Sequence, residues 1–186
     1  MYSTSEFRKG LKIELDGDLW EIVDCQFHKP GKGSAIYRTR IKNLVNNRVL
    51  DKTFRSGERV GKPDFQQVEM QFLYQADDVF HFMNNSTYEQ IELNKQFIGD
   101  AGNYLTENLI VGVLFYNQKV VSIELPNFVN LKITHCEPGV KGDTATGATK
   151  PATLETGYTV NVPLFINEGE VLKIDTRTGG YVERVN

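Results

Sequence analysis

Residues 21–41 read EIVDCQFHKPGKGSAIYRTRI. The alternation of apolar and polar residues on both sides of KPGKGS predicts two strands joined by a turn. Proline fixes its own φ and glycine supplies the positive φ of a type II turn, so we expect Pro30 and Gly31 to form the turn and Gly33 to ease its exit. Lys32 then lies at the tip of a hairpin. Lysine is also common at exposed turns because it is soluble there, so this turn alone indicates no function.

The strand that follows the turn separates two kinds of side chain. One face carries Tyr37, Thr39 and Ile41, and the other carries three cations, Arg38, Arg40 and Lys42. Successive strand residues point to opposite faces, so the cations form one stripe. Such a stripe suits contacts with phosphates, and an ordinary solvated outer face would have the same composition.

Charge is distributed unevenly along the 186 residues, although the net charge is only −3. Residues 1–63 carry 13 Lys and Arg against 8 Asp and Glu, whereas residues 64–126 carry 2 against 9. The last third, residues 127–186, is nearly balanced at 6 against 7. This asymmetry indicates that the first third faces a polyanion and that the middle third does not.

Short strands punctuated by Gly, Asn and Asp recur along the whole chain, which predicts an all-β protein of small barrels. The change of charge near residue 63 and the proline at position 126 divide it into three units, 1–63, 64–126 and 127–186. We expect the middle unit to be a five-stranded barrel of the OB type with a short helix in residues 101–109. In the last unit we expect a loop from Glu137 to Pro151.

That loop contains the small-residue stretch GVKGDTATGAT, residues 139–149. Its glycines allow close approach to another backbone, and Asp143 and Thr144 offer hydrogen-bonding groups that suit base edges. The same composition is typical of a simple linker. The stretch is therefore a candidate contact whose role the sequence leaves open.

Several classes of function are not supported. No apolar run is long enough to span a membrane, and the first ten residues lack the apolar region of a signal peptide, so we expect a cytoplasmic protein that does not bind membranes. Cys25 and Cys136 have no metal-ligand spacing, and neither have the three histidines. Nucleotide-binding and hydrolase motifs are missing as well. We expect no metal, no cofactor and no catalytic residue.

Four motifs in order give the chain a resemblance to the bacterial elongation factor P family over its whole length. They are KPGKG at 29–33, FMNN at 82–85, PGVKGDT at 138–144 and KPATLETGYTVNVPLFINEG at 150–169. One departure is Asn46-Asn47 before Arg48, where members of the family often have Gly-Thr. Either pair makes a tight turn, so the departure concerns a local contact.

The resemblance implies a fold and a function. The fold would be three small β-barrels, one KOW/SH3-like and two OB-like, in an elongated, tRNA-like L shape. The protein would be a monomer that binds the 70S ribosome between the P and E sites and promotes peptide-bond formation at consecutive prolines. It would contact rRNA, the P-site tRNA and the E-site mRNA codon.

The resemblance also implies roles for individual residues. Lys32, presented by Pro30, Gly31 and Gly33, would approach the acceptor end of the P-site tRNA near the peptidyl-transferase centre. A lysine-modifying enzyme would act on Lys32. The same tip sequence is shared by family members with β-lysylation, with other adducts or with none, and hydroxylation is a further modification that the resemblance implies. The candidate RNA contacts in the first unit are Lys29, Arg38, Arg40 and Lys42. Those in the last unit are Gly142, Asp143, Thr144, Tyr181 and Arg184.

Three other interpretations stay open at this point. An elongation factor P-like paralogue would carry arginine at the tip and lack Gly-Asp-Thr in the 138–144 motif. A stand-alone KOW/OB RNA-binding module would use the same basic surface without needing Lys32. A hydrolase would need a site that the known motifs do not describe.

Overall fold

The computed structural model describes residues 1–139 and 147–186. Strands dominate both ranges, so the prediction of an all-β fold is confirmed. The chain divides into two compact units, residues 1–67 with 113–122 and residues 68–112 with 123–186. No helix in the described ranges is long and apolar enough to cross a membrane.

The first unit is built on an antiparallel sheet of four strands in the order β2-β3-β4-β5. Its elements are β1 (Tyr2–Ser3), a 3₁₀ helix (Thr4–Glu6), β2 (Lys12–Leu15), β3 (Asp18–His28), β4 (Ile36–Asn43), β5 (Val49–Arg55) and β6 (Arg59–Val60). β1 pairs with β6 in a separate two-stranded ladder. The inward faces of these strands meet in one core, which includes Ile13, Trp20, Ile22, Ile41 and Phe54.

Residues 113–122 add a second, smaller core to the first unit. Leu114 and Tyr116 pack with Leu19 and Leu44. The Tyr116 hydroxyl donates a hydrogen bond of 2.6 Å to Glu14. Burial, and then this carboxylate, raise the pKa of Tyr116 to about 12.

The middle of the chain forms a five-stranded sheet in the order β11-β10-β7-β8-β9. Its elements are β7 (Phe65–Ala76), β8 (Val79–Met83), β9 (Gln90–Asn94), α1 (Lys95–Ile98), a 3₁₀ helix (Gly99–Tyr104), β10 (Ile110–Tyr116) and β11 (Lys119–Glu124). The helix predicted at 101–109 begins earlier than expected, at Lys95. The reason is local, because the Asn94 side chain accepts a hydrogen bond from the Phe97 amide and caps the first turn.

The last five strands form a sheet in the order β14-β13-β12-β15-β16. They are β12 (Phe128–Cys136), β13 (Thr149–Leu154), β14 (Thr159–Pro163), β15 (Val171–Asp175) and β16 (Gly180–Val185). The loop predicted to reach Pro151 is too long, because β13 already begins at Thr149. Lys150, Ala152 and Leu154 alternate inward and are buried, so a strand forms across the proline.

Candidate functional site

The hairpin of β3 and β4 presents Lys32 to solvent. The last residue pairs of its ladder are Phe27 with Tyr37 and His28 with Ile36, so residues 29–35 form the connection. Lys32 is exposed, and Pro30 on the same connection is half-buried. The structure thus places Lys32 beyond the end of the ladder, as the sequence predicts.

The turn within this connection differs from the predicted one. Gly31 does not have a positive φ, whereas Gly33 has a φ of +111°. The prediction of a type II turn with its positive φ at Gly31 is therefore wrong. A type II turn on Pro30 and Gly31 needs its positive φ at Gly31, but the longer connection, residues 29–35, has its positive φ at Gly33. A Cβ atom built on Gly33 would lie 3.8 Å from the Pro30 Cγ, so the two residues are in contact range.

Aromatic rings support the base of the connection. The Phe27 and Tyr37 ring centroids are 5.0 Å apart, and Tyr37 lies edge-on to Phe7 at 6.1 Å. Phe7 in turn lies edge-on to the buried Phe54 at 5.1 Å. At the exit of the connection, the Ser56 amide donates to the Ala35 carbonyl at 2.8 Å. The hairpin base is therefore tied both to the core and to the chain after β5.

The outer face of β3, β4 and β5 carries the predicted cationic stripe, but its members differ in their surroundings. Arg40 lies opposite Asp24 on one side and Asp51 on the other, and its Nε donates to Asp51 at 2.9 Å. The hydrogen bond and the charge of Arg40 lower the pKa of Asp51. Lys42 lies opposite Glu21. We call the rows of Arg40 and Lys42 the base half of this face, and there the cations are balanced by acids.

The rows nearer the connection, which we call the tip half, lack such acids. Arg38 lies between Gln26 and Thr53, and Arg55 lies opposite Ile36. Among the residues the structure describes, Arg38, Arg55, Lys29 and Lys32 have no ion-pair partner. Sequence reasoning missed Arg55. The alternation of β5, which buries Phe54 and exposes its neighbours, is the signal that could have found it.

The candidate residues of the last third lie in the other compact unit. Tyr181 packs half-buried against the core of its sheet. Arg184 donates to Glu170 at 2.9 Å, and the pKa of Glu170 is lowered, first by the Asn167 amide and then by Arg184. Three further candidates, Gly142, Asp143 and Thr144, lie outside the described residues.

Cys25 and Cys136 are free thiols, and no candidate metal site includes them in residues 1–139 and 147–186. No set of three His, Cys, Asp or Glu side chains in these ranges could hold a metal ion. Burial, with a smaller effect of Asp24, raises the pKa of the Cys25 thiol, which keeps it protonated at neutral pH. Cys136 is buried against the Ile166 carbonyl.

Three protein-family models together match nearly all of the chain. A family described as the elongation factor P KOW-like domain matches residues 3–60, and one described as the elongation factor P OB domain matches residues 65–123. A third, described as the elongation factor P C-terminal domain, matches residues 129–184.

Individual proteins agree with this result. The chain is 54% identical over 186 residues to elongation factor P of Bdellovibrio bacteriovorus, covering 100% of this chain and 99% of that protein. It is 51% identical over 186 residues to elongation factor P of Desulforapulum autotrophicum, with both chains covered completely. A solved structure described as eukaryotic translation initiation factor 5A from Methanococcus jannaschii shares the fold, with a TM-score of 0.54 and 23% identity. The match covers 66% of this chain and 92% of the Methanococcus jannaschii chain.

Proposed function

Because the chain belongs to the elongation factor P family and is therefore a translation elongation factor, we propose that it binds the 70S ribosome between the P and E sites. There it promotes peptide-bond formation where consecutive prolines stall synthesis. It acts as a monomer in the cytoplasm, without a cofactor and without catalytic residues of its own.

The observation that carries this proposal is the presentation of Lys32. The side chain is exposed at the end of a hairpin whose base packs against the core. In the described ranges its ammonium forms no ion pair. An ammonium group in this position is free to donate hydrogen bonds to a partner. We propose that this partner is the acceptor end of the P-site tRNA.

The physical task suits a factor without an active site. Proline is a poor substrate for peptide-bond formation because its ring restricts the backbone. Holding two reactants in a productive orientation lowers a barrier without any chemistry by the group that holds them. Lys32, contacting the tRNA end, would supply such orientation.

The tip half supplies the electrostatic part of the binding. Lys29 lies in the connection, and Arg38 and Arg55 lie on the nearest rows of the sheet with no acid directly opposite them. Cations in contact with phosphates release condensed counterions, which favours binding to RNA. We propose that the tip half meets rRNA and tRNA, and that the base half, with Arg40 and Lys42, contributes less.

The remaining candidates complete the proposed interface. Gly142, Asp143 and Thr144 would meet the E-site mRNA codon, and Tyr181 and Arg184 would meet tRNA and the small subunit. We retain the division into domains at 1–63, 64–126 and 127–186. The bounds of the three family matches, 3–60, 65–123 and 129–184, support this division.

We also propose that a modifying enzyme extends Lys32. A longer side chain with further donors would increase the reach of the hairpin. The intact mass of the native protein, compared with the 21.1 kDa of the bare chain, tests this directly. A mass equal to that of the bare chain would contradict modification.

The function is tested by replacing Lys32 with alanine in a reconstituted translation assay on a message that encodes consecutive prolines. We expect Lys32→Ala to retain ribosome binding and to lose most of the rescue, by about tenfold or more, because one orienting contact is worth at least one factor of ten. Lys119→Ala is the matched control, since Lys119 is exposed like Lys32 but lies at the start of β11, away from the β3–β4 connection. Full rescue by Lys32→Ala would contradict the proposal and favour a generic RNA-binding module.

A further inference from the structure

Phe27 occupies an unusual place on the hairpin that carries Lys32. Its side chain is 58% exposed, yet its ring lies against that of Tyr37 with the centroids 5.0 Å apart. The two residues are direct cross-strand partners. Only one residue pair, His28 with Ile36, separates them from the connection.

A continuous row of rings leads from this pair into the core. Tyr37 contacts Phe7, Phe7 contacts Phe54, and Phe54 is 2% exposed. Contacts between aromatic rings have preferred geometries, so each contact in this row favours one arrangement of the two residues. Phe27 is the outermost member of this row.

A bulge in β3 puts Phe27 on this side of the sheet. The register of β3 against β4 shifts between Ile22 and Asp24. Ile22 faces Ile41, and beyond the bulge Phe27 faces Tyr37, which lies on the same face of β4 as Ile41. Without the extra residue, regular alternation would place Ile22 and Phe27 on opposite faces.

The other ties of the connection are few. Residues 29–35 continue beyond the last ladder pair, and the hydrogen bond from the Ser56 amide to Ala35 holds only the exit. The entry, at Lys29 and Pro30, follows directly from the strand that carries Phe27. The stiffness of the entry therefore depends on the pair of Phe27 with Tyr37.

We infer that Phe27 and Tyr37 are positioning residues for Lys32: their packed rings hold the end of the β3–β4 ladder so that the connection presents the ammonium in one direction. The inference rests on the proposed function, since it concerns how Lys32 is presented to the tRNA. It assigns to Phe27 a role within the protein and not a direct contact with RNA.

The test begins with the free protein, where no RNA is present. Phe27→Ala removes the ring, Phe27→Tyr keeps it, and Tyr37→Leu removes the partner ring. Phe165→Ala is the matched control, because Phe165 is a phenylalanine of similar exposure, 62%, in the other compact unit. The measurements are NMR order parameters of the amides of residues 31–33 and hydrogen exchange of the Ser56 amide.

We expect Phe27→Ala and Tyr37→Leu to lower the order parameters of residues 31–33 and to speed exchange at Ser56 by about fivefold, the factor that corresponds to one aromatic pair. Phe27→Tyr and Phe165→Ala should leave both values unchanged. Unchanged values in Phe27→Ala would overturn the inference, whatever the function of Lys32.

The translation assay then connects order to function. We expect Phe27→Ala and Tyr37→Leu to reduce rescue at consecutive prolines by about fivefold, and Phe27→Tyr to restore it. If Phe27→Ala alone lowers rescue and Tyr37→Leu does not, Phe27 stacks on RNA directly and the inference is wrong. Loss of rescue in neither variant, while Lys32→Ala loses it, would also overturn the inference. Full rescue by Lys32→Ala would instead contradict the proposed function.

Discussion

The tip half and the base half of the outer face of β3, β4 and β5 have similar cations in different electrostatic states. Arg38, in the tip half, lies between the uncharged Gln26 and Thr53, whereas Arg40, two residues further on, lies between two aspartates. The cations alternate regularly along β4, but only those of the base half lie opposite acids. Cross-strand partners, more than the composition of one strand, therefore decide which cations are available to a polyanion.

The two glycines of the connection extend this comparison to the backbone and give the largest expected effect. Gly33→Ala places a side chain at a φ of +111°, which costs roughly 1–3 kcal/mol in strain, so the connection should change shape. We expect rescue at consecutive prolines to fall by about tenfold. Gly31 has no positive φ, and a Cβ there would meet nothing within 4 Å, so Gly31→Ala should be tolerated.

The reconstituted translation assay with both alanine variants checks this prediction. Equal loss in both would show that the small size of the residues near the tip matters, and not the backbone angle of Gly33. Equal tolerance would show that the shape of the connection is unimportant.

The two arginines of the stripe should differ by a smaller amount. Arg38→Ala should lower the slope of log affinity against log salt concentration for ribosome binding by about one, because an unpaired cation in contact with a phosphate is lost. Arg40→Ala should lower it by clearly less, since Asp51 already occupies the Arg40 guanidinium. Binding measured over a salt series distinguishes the two, and identical slopes would remove the distinction between the tip half and the base half.

The ion pair of the base half should give the smallest effect, a pH-dependent one. Because Arg40 lowers the pKa of Asp51 from the usual 3.8, the folded protein binds this proton less tightly than the unfolded chain does. The stabilisation is complete above the usual pKa and is lost as the pH falls through the lowered pKa. Urea unfolding of wild type and Asp51→Asn should show a small difference at pH 7 that disappears in strong acid. If the difference in stability between wild type and Asp51→Asn grows on acidification, Arg40 does not lower the pKa of Asp51.

Some of this site could be predicted from the sequence because it depends on alternation. The opposite faces of Thr39 and Arg38, and the exposure of Lys32, follow from the period of a strand and from a turn of small residues. The ion pair of Arg40 could not be predicted in this way. It requires the register of β4 against β5, which pairs residues that are 11 positions apart in sequence.

Two features of the fold have no signal in the local sequence pattern. The bulge between Ile22 and Asp24 inserts one residue without any Gly or Pro to mark it, and it decides which face Phe27 occupies. Pro151 predicts that the loop continues to that residue, but the strand begins at Thr149. The buried Lys150, whose ammonium donates to the Glu137 carbonyl at 2.6 Å, helps to form it. At Lys150 a tertiary contact outweighs the local pattern.

The central claim is that Lys32 contacts the P-site tRNA, and a site-specific crosslink tests it most directly. A diazirine-bearing lysine analogue at position 32 keeps the ammonium and reports its neighbours on a ribosome stalled at consecutive prolines. We predict crosslinks to the 3′ end of the P-site tRNA, and none there from the same analogue at position 119. Crosslinks from position 32 only to other RNA or to protein, or equal crosslinking from both positions, would contradict the account.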